Sequence, residues 1–427
     1  MNPLKMLNEY GQSVWLDYIR RGLITSGELK RMIEEDALKG VTSNPSIFEK
    51  AITGSTDYTD TLKVLKQQNL DPMSLYEKLA IQDIQDAADV FNAVYKETKR
   101  RDGYVSLEVS PYMAHDTQGT IDEARRLWRT VGRENVLIKV PATPQGTLAI
   151  EQLTSEGINV NVTLIFALDV YERVALAYIS GLEKLVAQGG DLTKIASVAS
   201  FFISRIDTAV DAILASRLKA TKSANEQALL RSIMGRVAIS NAKLAYQKYK
   251  EIFHSDRWQA LARKGAQTQR VLWASTSTKN PNYRDVLYVE ELIGPDTINT
   301  MPPSTIEAFR DHGHPRASLE EDIESAHDTM ETLERLGISM KEVTDNLIMD
   351  GVRLFAEAFD KLLNAVETKR KLAPGAKIDS QAYTLPDNLS SHVKETIEDW
   401  QISGKIRRLW ARDASLWTRS DERNWLG

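Results

Sequence analysis

Lys139 stands in a short apolar run, NVLIKVPAT, which covers residues 135–143. A β-branched run of this length is typical of a strand that is buried on both faces of a parallel sheet. Lysine is almost never fully buried unless it is paired or has a function. Desolvation disfavours the charged form of an amine, and the free amine is a nucleophile for carbonyl carbons. The run alone leaves three interpretations open: a catalytic amine, a lysine that extends past the strand end to solvent, and one half of a structural ion pair.

Two acidic residues, Asp17 in VWLDY and Glu108 in YVSLEVS, lie on the polar faces of their predicted strands, as Lys139 does in VLIKVP. Successive side chains of a strand point to opposite faces, so each of these strands has one apolar and one polar face. We expect the apolar faces to contact helices and the polar faces to point into the lumen of a barrel, near its catalytic end. The polar faces also carry Thr42, Asn44, Ser106, Ser110, Asn159, Asn161 and Thr163.

Three charged groups in one lumen favour a catalytic interpretation. Burial costs on the order of several kcal/mol per charge unless the groups pair or have a function. A lysine with two carboxylates and several amides suits imine chemistry on a polyol: the amine attacks a ketone, and one carboxyl group helps to expel water. The second carboxylate removes the proton of the hydroxyl whose carbon–carbon bond breaks. The alternative is a polar core satisfied by its own hydrogen bonds, which is the simpler interpretation for any single Asn or Thr.

The predicted strands alternate with helical segments along the chain, which implies parallel strand pairing with right-handed crossovers. Eight such units predict an α/β fold, a closed (β/α)8 TIM barrel with additional helices. A long helical stretch covers 204–265, and we expect two further helices within 318–370 to pack on the outer ring of the barrel. The predicted strands cover residues 13–19, 40–48 including a turn at Asn44 and Pro45, 104–112, 136–142, 158–166, 194–202, 270–275 and 298–305.

We expect the barrel to occupy residues 1–370 and a linker with a helical tail to occupy 371–427. The segment from 371 is polar and contains Pro and Gly at the frequency of a linker. The region after it carries Trp400, Trp410 and Trp417 in a charged helical pattern that is too small for a core of its own. We expect residues 380–427 to dock on the barrel exterior through these tryptophans.

Composition excludes several classes of function for this chain of 427 residues. Its net charge of −5 argues against a general nucleic-acid partner, which would require a basic surface. It has no cysteine, so disulfides, thiolate metal sites and thiol nucleophiles are excluded, and its six histidines lack ligand spacing. The first residues lack the apolar core of a signal peptide, and no run reaches membrane-spanning length. We expect a soluble cytoplasmic protein without a membrane partner.

Seven motifs in order give the chain a resemblance to transaldolases, which are class I aldolases on a (β/α)8 barrel. The resemblance covers roughly residues 1–370 and favours the longer bacterial and plant-like branch. That branch also occurs fused to glucose-6-phosphate isomerase, and the tail 408–427 is similar to the joining region of such fusions. The resemblance thus implies a fused or associated isomerase domain. The motifs are WLDYI (15–19), GVTSNPS (40–46), SLEVSP (106–111), LIKVPAT (137–143), NVTLIF (161–166), SFFISRI (200–206) and WASTSTKNP (273–281).

The resemblance implies a role for each matching residue. Lys139 would form the Schiff base, Glu108 would be its acid–base group through a water, and Asp17 would deprotonate the hydroxyl at carbon 4. Substrate binding would fall to Asn44, Asn161 and Ser200 at the three-carbon fragment, to Thr42 and Thr163 in support of Glu108 and its water, and to Arg205, Ser275 and Lys279 at the phosphate. Lys279 stands where the common branch has an arginine, so it would act as a point charge without the bidentate fork.

The implied reaction belongs to the pentose phosphate pathway and needs no metal or organic cofactor, since the protonated imine is the electron sink. It transfers dihydroxyacetone from sedoheptulose 7-phosphate or fructose 6-phosphate to an aldose phosphate, glyceraldehyde 3-phosphate or erythrose 4-phosphate. Two alternatives stay open. A fructose-6-phosphate aldolase would release free dihydroxyacetone, but by family pattern it has glutamine and tyrosine where this chain has Glu108 and Phe202. A non-catalytic sugar-phosphate-binding barrel is opposed by the intact Lys139, Glu108 and Asp17. An oligomer is compatible with the sequence.

Overall fold

The computed structural model describes residues 2–68, 70–372 and 386–403, together with residues 405, 409 and 416. It divides into two units, Met1–Pro374 and Gly375–Gly427. In the described part of the first unit, eight parallel strands close into a barrel in chain order, which confirms the predicted (β/α)8 fold. The strands are β1 (Gln12–Asp17), β2 (Leu38–Thr42), β3 (Tyr104–Glu108), β4 (Val136–Pro141), β5 (Val160–Ile165), β6 (Ser197–Phe202), β7 (Arg270–Ala274) and β8 (Thr297–Met301).

Helices of the first unit pack against the strands, and one further helix belongs to the second unit. In chain order they are α1 (Pro3–Glu9), α2 (Arg21–Thr25), α3 (Glu28–Asp36), α4 (Pro45–Thr53), α5 (Thr59–Leu65), α6 (Pro72–Glu97), α7 (Thr117–Val131), α8 (Pro144–Ser155), α9 (Leu168–Ala187), α10 (Ser204–Ala220), α11 (Ala224–Ile233), α12 (Val237–His254), α13 (Asp256–Ala262), α14 (Leu287–Glu290), α15 (Pro303–His312), α16 (Ile323–Arg335), α17 (Met340–Leu372) and α18 (Asp387–Ile402). Short 3-10 turns lie at Lys66–Gln68, Pro111–Met113 and Leu192–Lys194.

The third and eighth strands end earlier than predicted, and in each case a proline follows the true end; β8 ends at Met301, directly before Pro302. The predicted turn at Asn44 and Pro45 is confirmed, because β2 ends at Thr42 and α4 begins at Pro45. The Asn44 side chain accepts a hydrogen bond from the Ile47 amide, which makes it the N-cap of this helix. The third strand, β3, ends at Glu108, and a 3-10 turn begins at Pro111. Ser110 therefore lies beyond the strand and does not continue its lumen face.

The predicted helical stretch 204–265 is confirmed as α10 to α13. The central helix of this stretch, α12, packs against α9 and α16, so it lies between the inner ring of helices and an outer layer. Its buried residues fall on several faces, which is the pattern of a helix with neighbours on more than one side. This part of the chain therefore adds a layer to the barrel wall.

Helix α17 packs on helices around the barrel, as expected, and it also reaches a barrel strand, which was not expected. This helix packs against α4, α6 and α10 and reaches β5. A Cβ atom at Gly351 would lie 2.8 Å from a methyl carbon of Leu164, so glycine permits the close approach of helix and strand. Leu164 itself has a φ of 60°, at a point where the pairing of β5 with β6 shifts register. The sequence did not indicate this position, because an apolar stripe shows that a helix packs but not where.

A buried ion pair occupies the lumen at the N-terminal end of the strands. Arg270 at the start of β7 donates to Asp102, which precedes β3, at 2.8 Å. Arg270 also donates to Ser13 of β1 at 2.8 Å, and the Trp15 indole donates to Asp102 at 3.2 Å. These elements are not neighbours in the sheet, so the contacts must cross the barrel interior. The ion pair occupies the lumen at the N-terminal end of the strands. A site for a ligand must therefore lie at the carboxyl end.

The second unit is described mainly as α18, whose side chains are largely exposed. Trp400 lies in this helix, whereas Trp410 and Trp417, two of the three tryptophans of the expected docking, are outside the described residues. Of all helices that the structure describes, none combines the length and the apolar composition required to cross a bilayer.

Candidate active site

Strand pairing places the central residues of the site side by side. Lys139 on β4 is in register with Glu108 on β3 and with Asn161 on β5. The Lys139 amine is buried; it donates to the Ser43 carbonyl oxygen at 3.1 Å and lies 3.8 Å from Glu108 Oε2. The Phe355 ring centre is 5.8 Å from the same nitrogen. Of the three interpretations of this lysine, extension to solvent is excluded.

Glu108 combines burial with an incomplete set of partners. Burial raises its pKa to about 7; the Lys139 charge lowers this pKa and Asp17 raises it further. Among the residues that the structure describes, none forms a hydrogen bond with Glu108 Oε2. A buried carboxyl oxygen without a partner requires an explanation, and a ligand or a water supplies one. A carboxyl group that titrates near neutral pH can serve both as a general acid and as a general base.

Asp17 lies at the end of β1, in register with Thr42 at the end of β2. Its Oδ1 accepts a hydrogen bond from Thr42 Oγ1 at 2.6 Å, and this hydroxyl is 2.7 Å from that of Thr300 on β8. Burial raises the pKa of Asp17, although Lys139 and the Thr42 hydrogen bond partly offset the effect. The structure thus joins Thr42 to Asp17, whereas the resemblance had paired Thr42 with Glu108.

A chain of hydrogen bonds fixes the amide of Asn161. Its nitrogen donates to Ser106 Oγ at 3.0 Å, and its oxygen accepts from Ser200 Oγ at 2.7 Å. Since Ser106 and Asn161 belong to strands on either side of β4, both side chains must point into the lumen. Thr163, next on this face of β5, has a buried hydroxyl without a partner in the described part of the chain. That hydroxyl is free to bind a substrate or water.

These side chains surround a cavity of about 200 Å³ at the carboxyl ends of the strands, which we call the lumen cavity. The location is the one at which barrels of this type carry their active sites. Glu108 and Asn161 adjoin the cavity through Lys139 and Ser200. The lumen cavity is lined by Asp17, Thr42, Asn44, Lys139, Thr163, Ser200, Phe202, Arg205, Ala274, Ser275, Ser277, Lys279, Thr300, Pro302 and Phe355.

One end of the lumen cavity is cationic. Arg205 lies in the first turn of α10, with its guanidinium carbon 5.2 Å from the Phe202 ring centre. Burial lowers the pKa of Lys279, and the nearby charges of Arg205 and Lys50 lower it further. Ser275 has a φ of 57°, which turns the chain so that its hydroxyl lies 2.9 Å from that of Ser204. Clustered cations of this kind suit an anion such as a phosphate.

A family model described as Transaldolase/Fructose-6-phosphate aldolase matches residues 14–366. The chain belongs to this family. Its relatives include a transaldolase of Trichodesmium erythraeum, 48% identical over 87% of this chain and 99% of the relative. Transaldolases of Thiobacillus denitrificans and Neisseria gonorrhoeae are 47% and 44% identical, each over 85% of this chain and 99% of the relative. The predicted family and its transferase class of enzyme are therefore confirmed.

The structure gathers all eleven residues predicted for this member of the transaldolase/fructose-6-phosphate aldolase family at one end of the barrel. Nine of them line the lumen cavity, and Glu108 and Asn161 contact the lining residues. The sequence did not indicate the roles of Thr300, Ser277, Pro302 and Phe355. Thr300 follows Asn299 in a strand without clear alternation, so its face could not be assigned. Phe355 belonged to a helical apolar stripe that was expected to contact the outer ring.

Proposed function

We propose that this protein is a transaldolase that transfers a dihydroxyacetone unit through a Schiff base on Lys139. The donor is sedoheptulose 7-phosphate or fructose 6-phosphate, and the acceptor is an aldose phosphate. One observation carries the proposal: a buried amine lies 3.8 Å from a buried carboxyl group and in the same cavity as Asp17. The transaldolase names of the bacterial relatives agree with it.

Imine formation uses Lys139 and Glu108. The neutral amine attacks carbon 2 of the ketose, and a proton moves from nitrogen to oxygen to give the carbinolamine. Protonated Glu108 then donates to the carbinolamine hydroxyl, the carbon–oxygen bond breaks, and water leaves. The nitrogen lone pair forms the carbon–nitrogen double bond, and Glu108 becomes a carboxylate. Its pKa of about 7 lets the same group act as the base when water attacks the imine later.

Cleavage of the carbon 3–carbon 4 bond uses Asp17. Its carboxylate removes the proton of the hydroxyl on carbon 4, an aldehyde forms there, and the bonding electron pair moves into the protonated imine to give an enamine. Thr42, which donates to Asp17 at 2.6 Å, keeps this carboxylate oriented. Addition of the acceptor aldehyde reverses these steps, and hydrolysis of the new imine releases the product ketose.

Substrate orientation comes from the two ends of the lumen cavity. Asn44, Asn161, Thr163 and Ser200 surround the position of the three-carbon fragment. Ser275, Arg205 and Lys279 lie at the cationic end, where the phosphate would bind. A phosphate anchored there fixes the distance between the anion and the carbonyl carbon, and such positioning contributes strongly to catalysis.

The proposal is tested by reduction with borohydride in the presence of fructose 6-phosphate, followed by peptide mass mapping. We expect a three-carbon adduct on Lys139. Lys139→Ala should lose both the adduct and the transfer reaction while it retains the folded circular dichroism spectrum. An adduct on another lysine, or full activity of Lys139→Ala, would overturn the mechanism.

Fructose-6-phosphate aldolase is the second candidate, because the matching family description names both activities. An aldolase of that kind would release dihydroxyacetone without an acceptor. Incubation with fructose 6-phosphate alone and then with added erythrose 4-phosphate separates the two candidates. We expect turnover only after the acceptor is added; equal rates in both cases would favour the aldolase.

A further inference from the structure

A second cavity, here called the rear cavity, adjoins Glu108 and shares no lining residue with the lumen cavity. Its volume is about 10 Å³. A cavity of roughly this volume holds one water molecule, provided that two or more polar groups face it. Its polar lining consists of Glu108, Tyr76, Glu77, Ser110 and Glu123, and apolar side chains of α6, β3, α7 and α17 complete it.

Two carboxyl groups in this lining have buried oxygens without hydrogen-bond partners in the described part of the chain, and that of Glu108 is the oxygen 3.8 Å from the Lys139 amine. Within the described ranges of the chain, neither Glu108 Oε2 nor Glu123 Oε2 has a hydrogen-bond partner. The other Glu123 oxygen lies 3.7 Å from Arg126. Glu77, by contrast, accepts two hydrogen bonds from the Arg126 guanidinium and is therefore engaged. Glu108 and Glu123 are thus the two acids of the rear cavity with oxygens available to a water.

Glu123 also connects the rear cavity with solvent. It lines an open groove of about 520 Å³ between α7 and α17, which we call the outer groove, together with Arg126, Tyr112 and Phe359. The rear cavity shares Glu123 and Phe359 with this groove. Protons can therefore reach Glu108 from the outer groove without passing the lumen cavity, which a bound sugar phosphate fills and Phe355 borders.

We propose that Glu123 exchanges protons with Glu108 through one water in the rear cavity and so resets the acid–base group during turnover. As Glu108 donates its proton to the leaving hydroxyl, the water donates a proton to Glu108 and accepts one from the Glu123 carboxyl group in the same step. Glu123 regains a proton from solvent in the outer groove. When the imine is hydrolysed, the protons move in the opposite direction.

The charged surroundings suit this transfer. Burial raises the pKa of Glu123, whereas the Ser110 amide and Arg126 lower it and Glu77 raises it. Burial likewise raises the pKa of Glu108, which Lys139 and Asp17 modify. Glu108, Glu77 and Glu123 all raise the pKa of the Tyr76 phenol in addition to the effect of its burial, so all three carboxyl groups lie near Tyr76. The two relay acids therefore both have pKa values above those of exposed carboxyl groups, which favours proton exchange between them.

Glu123→Gln is the direct test, because glutamine keeps the size and the acceptor for the Ser110 amide but cannot carry the proton. Enzyme is mixed rapidly with fructose 6-phosphate, quenched with borohydride, and the adduct on Lys139 is followed with time. We expect imine formation to slow by about tenfold, a part of the rate factor typical of general acid–base catalysis. KM should change by less than about twofold, since Glu123 touches no substrate in this scheme.

A proton inventory in mixtures of H₂O and D₂O separates a relay from a structural role, because a purely structural role of Glu123 would not change the shape of the inventory. The inventory of imine formation should be curved in the wild type, since more than one proton moves, and linear in Glu123→Gln. Glu77→Gln is the matched control: it removes an ion pair with Arg126 from the same cavity but should leave rate and inventory unchanged. A linear inventory in the wild type would overturn the relay, even if Glu123→Gln proved too unstable to assay.

This inference rests on the acid–base role proposed for Glu108, and the two can fail separately. If Glu108→Gln slows imine formation while Glu123→Gln does not, the relay is overturned and the proposed function stands. If Glu108→Gln forms the imine at the wild-type rate, both are overturned.

Discussion

Lys139 and Glu108 are partners in register on β4 and β3, and their charged groups are 3.8 Å apart. Both side chains are nearly inaccessible to solvent, at 6% and 8% exposure. A buried ion pair of this kind contributes little to stability, because desolvation offsets the attraction. The pair is better explained by a reaction in which the amine and the carboxyl group exchange a proton through a substrate.

The raised pKa of Glu108 predicts a cost in stability at high pH. In the unfolded chain this group titrates near 4.5, whereas burial raises its pKa to about 7 in the folded protein. The stabilising contribution of its proton is complete below pH 4.5 and is lost as the pH rises through 7, with a loss of about 3 kcal/mol. Glu108→Gln should therefore melt at a higher temperature than the wild type at pH 8, but not at pH 4.5. A constant difference in melting temperature between these pH values would contradict this account.

Asp17→Asn should separate imine formation from cleavage. The amide cannot remove the proton of the hydroxyl on carbon 4, but it leaves Lys139 and Glu108 in place. Borohydride trapping with fructose 6-phosphate should then yield a six-carbon phosphorylated adduct on Lys139 in place of the three-carbon adduct. Transfer should fall by at least about a hundredfold. A three-carbon adduct in this variant would assign the base to another residue, and Asp60→Asn, at a side chain that is 93% exposed, serves as a surface control.

Phe355→Ala should loosen the retention of the three-carbon fragment. The ring borders the lumen cavity 5.8 Å from the Lys139 amine, so its removal admits water to the imine. We expect acceptor-independent release of dihydroxyacetone to rise several-fold relative to transfer. Leu354→Ala, which truncates an exposed neighbour on the same helix, should leave the ratio unchanged. An unchanged ratio in Phe355→Ala would show that other groups exclude water.

Lys279 should contribute to phosphate binding by its charge. Removal of a cation that pairs with a phosphate costs roughly 1.5–3 kcal/mol. Lys279→Ala should therefore raise KM for phosphorylated ketoses by about tenfold or more, with a smaller effect on kcat. Lys279→Arg should restore most of the affinity, and free dihydroxyacetone as a donor should be unaffected by either change. Equal effects on phosphorylated and unphosphorylated donors would argue for a structural role of this lysine.

The sequence by itself determined the barrel and the identity of most site residues. Alternation along VLIKVP, YVSLEVS and NVNVTLI assigned Lys139, Glu108 and Asn161 to one side of the wall, because side chains in a strand follow a period of two. Strand register then brings these residues together, independently of the conformation of the loops. The sequence also predicted the turn at Asn44 and Pro45, but it did not indicate that Asn44 is the N-cap of α4.

Only the tertiary structure decided which partner each polar group has. It joined Thr42 to Asp17, placed Phe355 near Lys139, set Arg270 against Asp102, and brought Glu108 and Glu123 into the lining of one small cavity. Phe355 and Lys139 are far apart in the chain, and so are Arg270 and Asp102. Local periodicity gives the face on which a side chain lies, but its contact across a lumen or beneath a crossing helix depends on packing of the whole barrel.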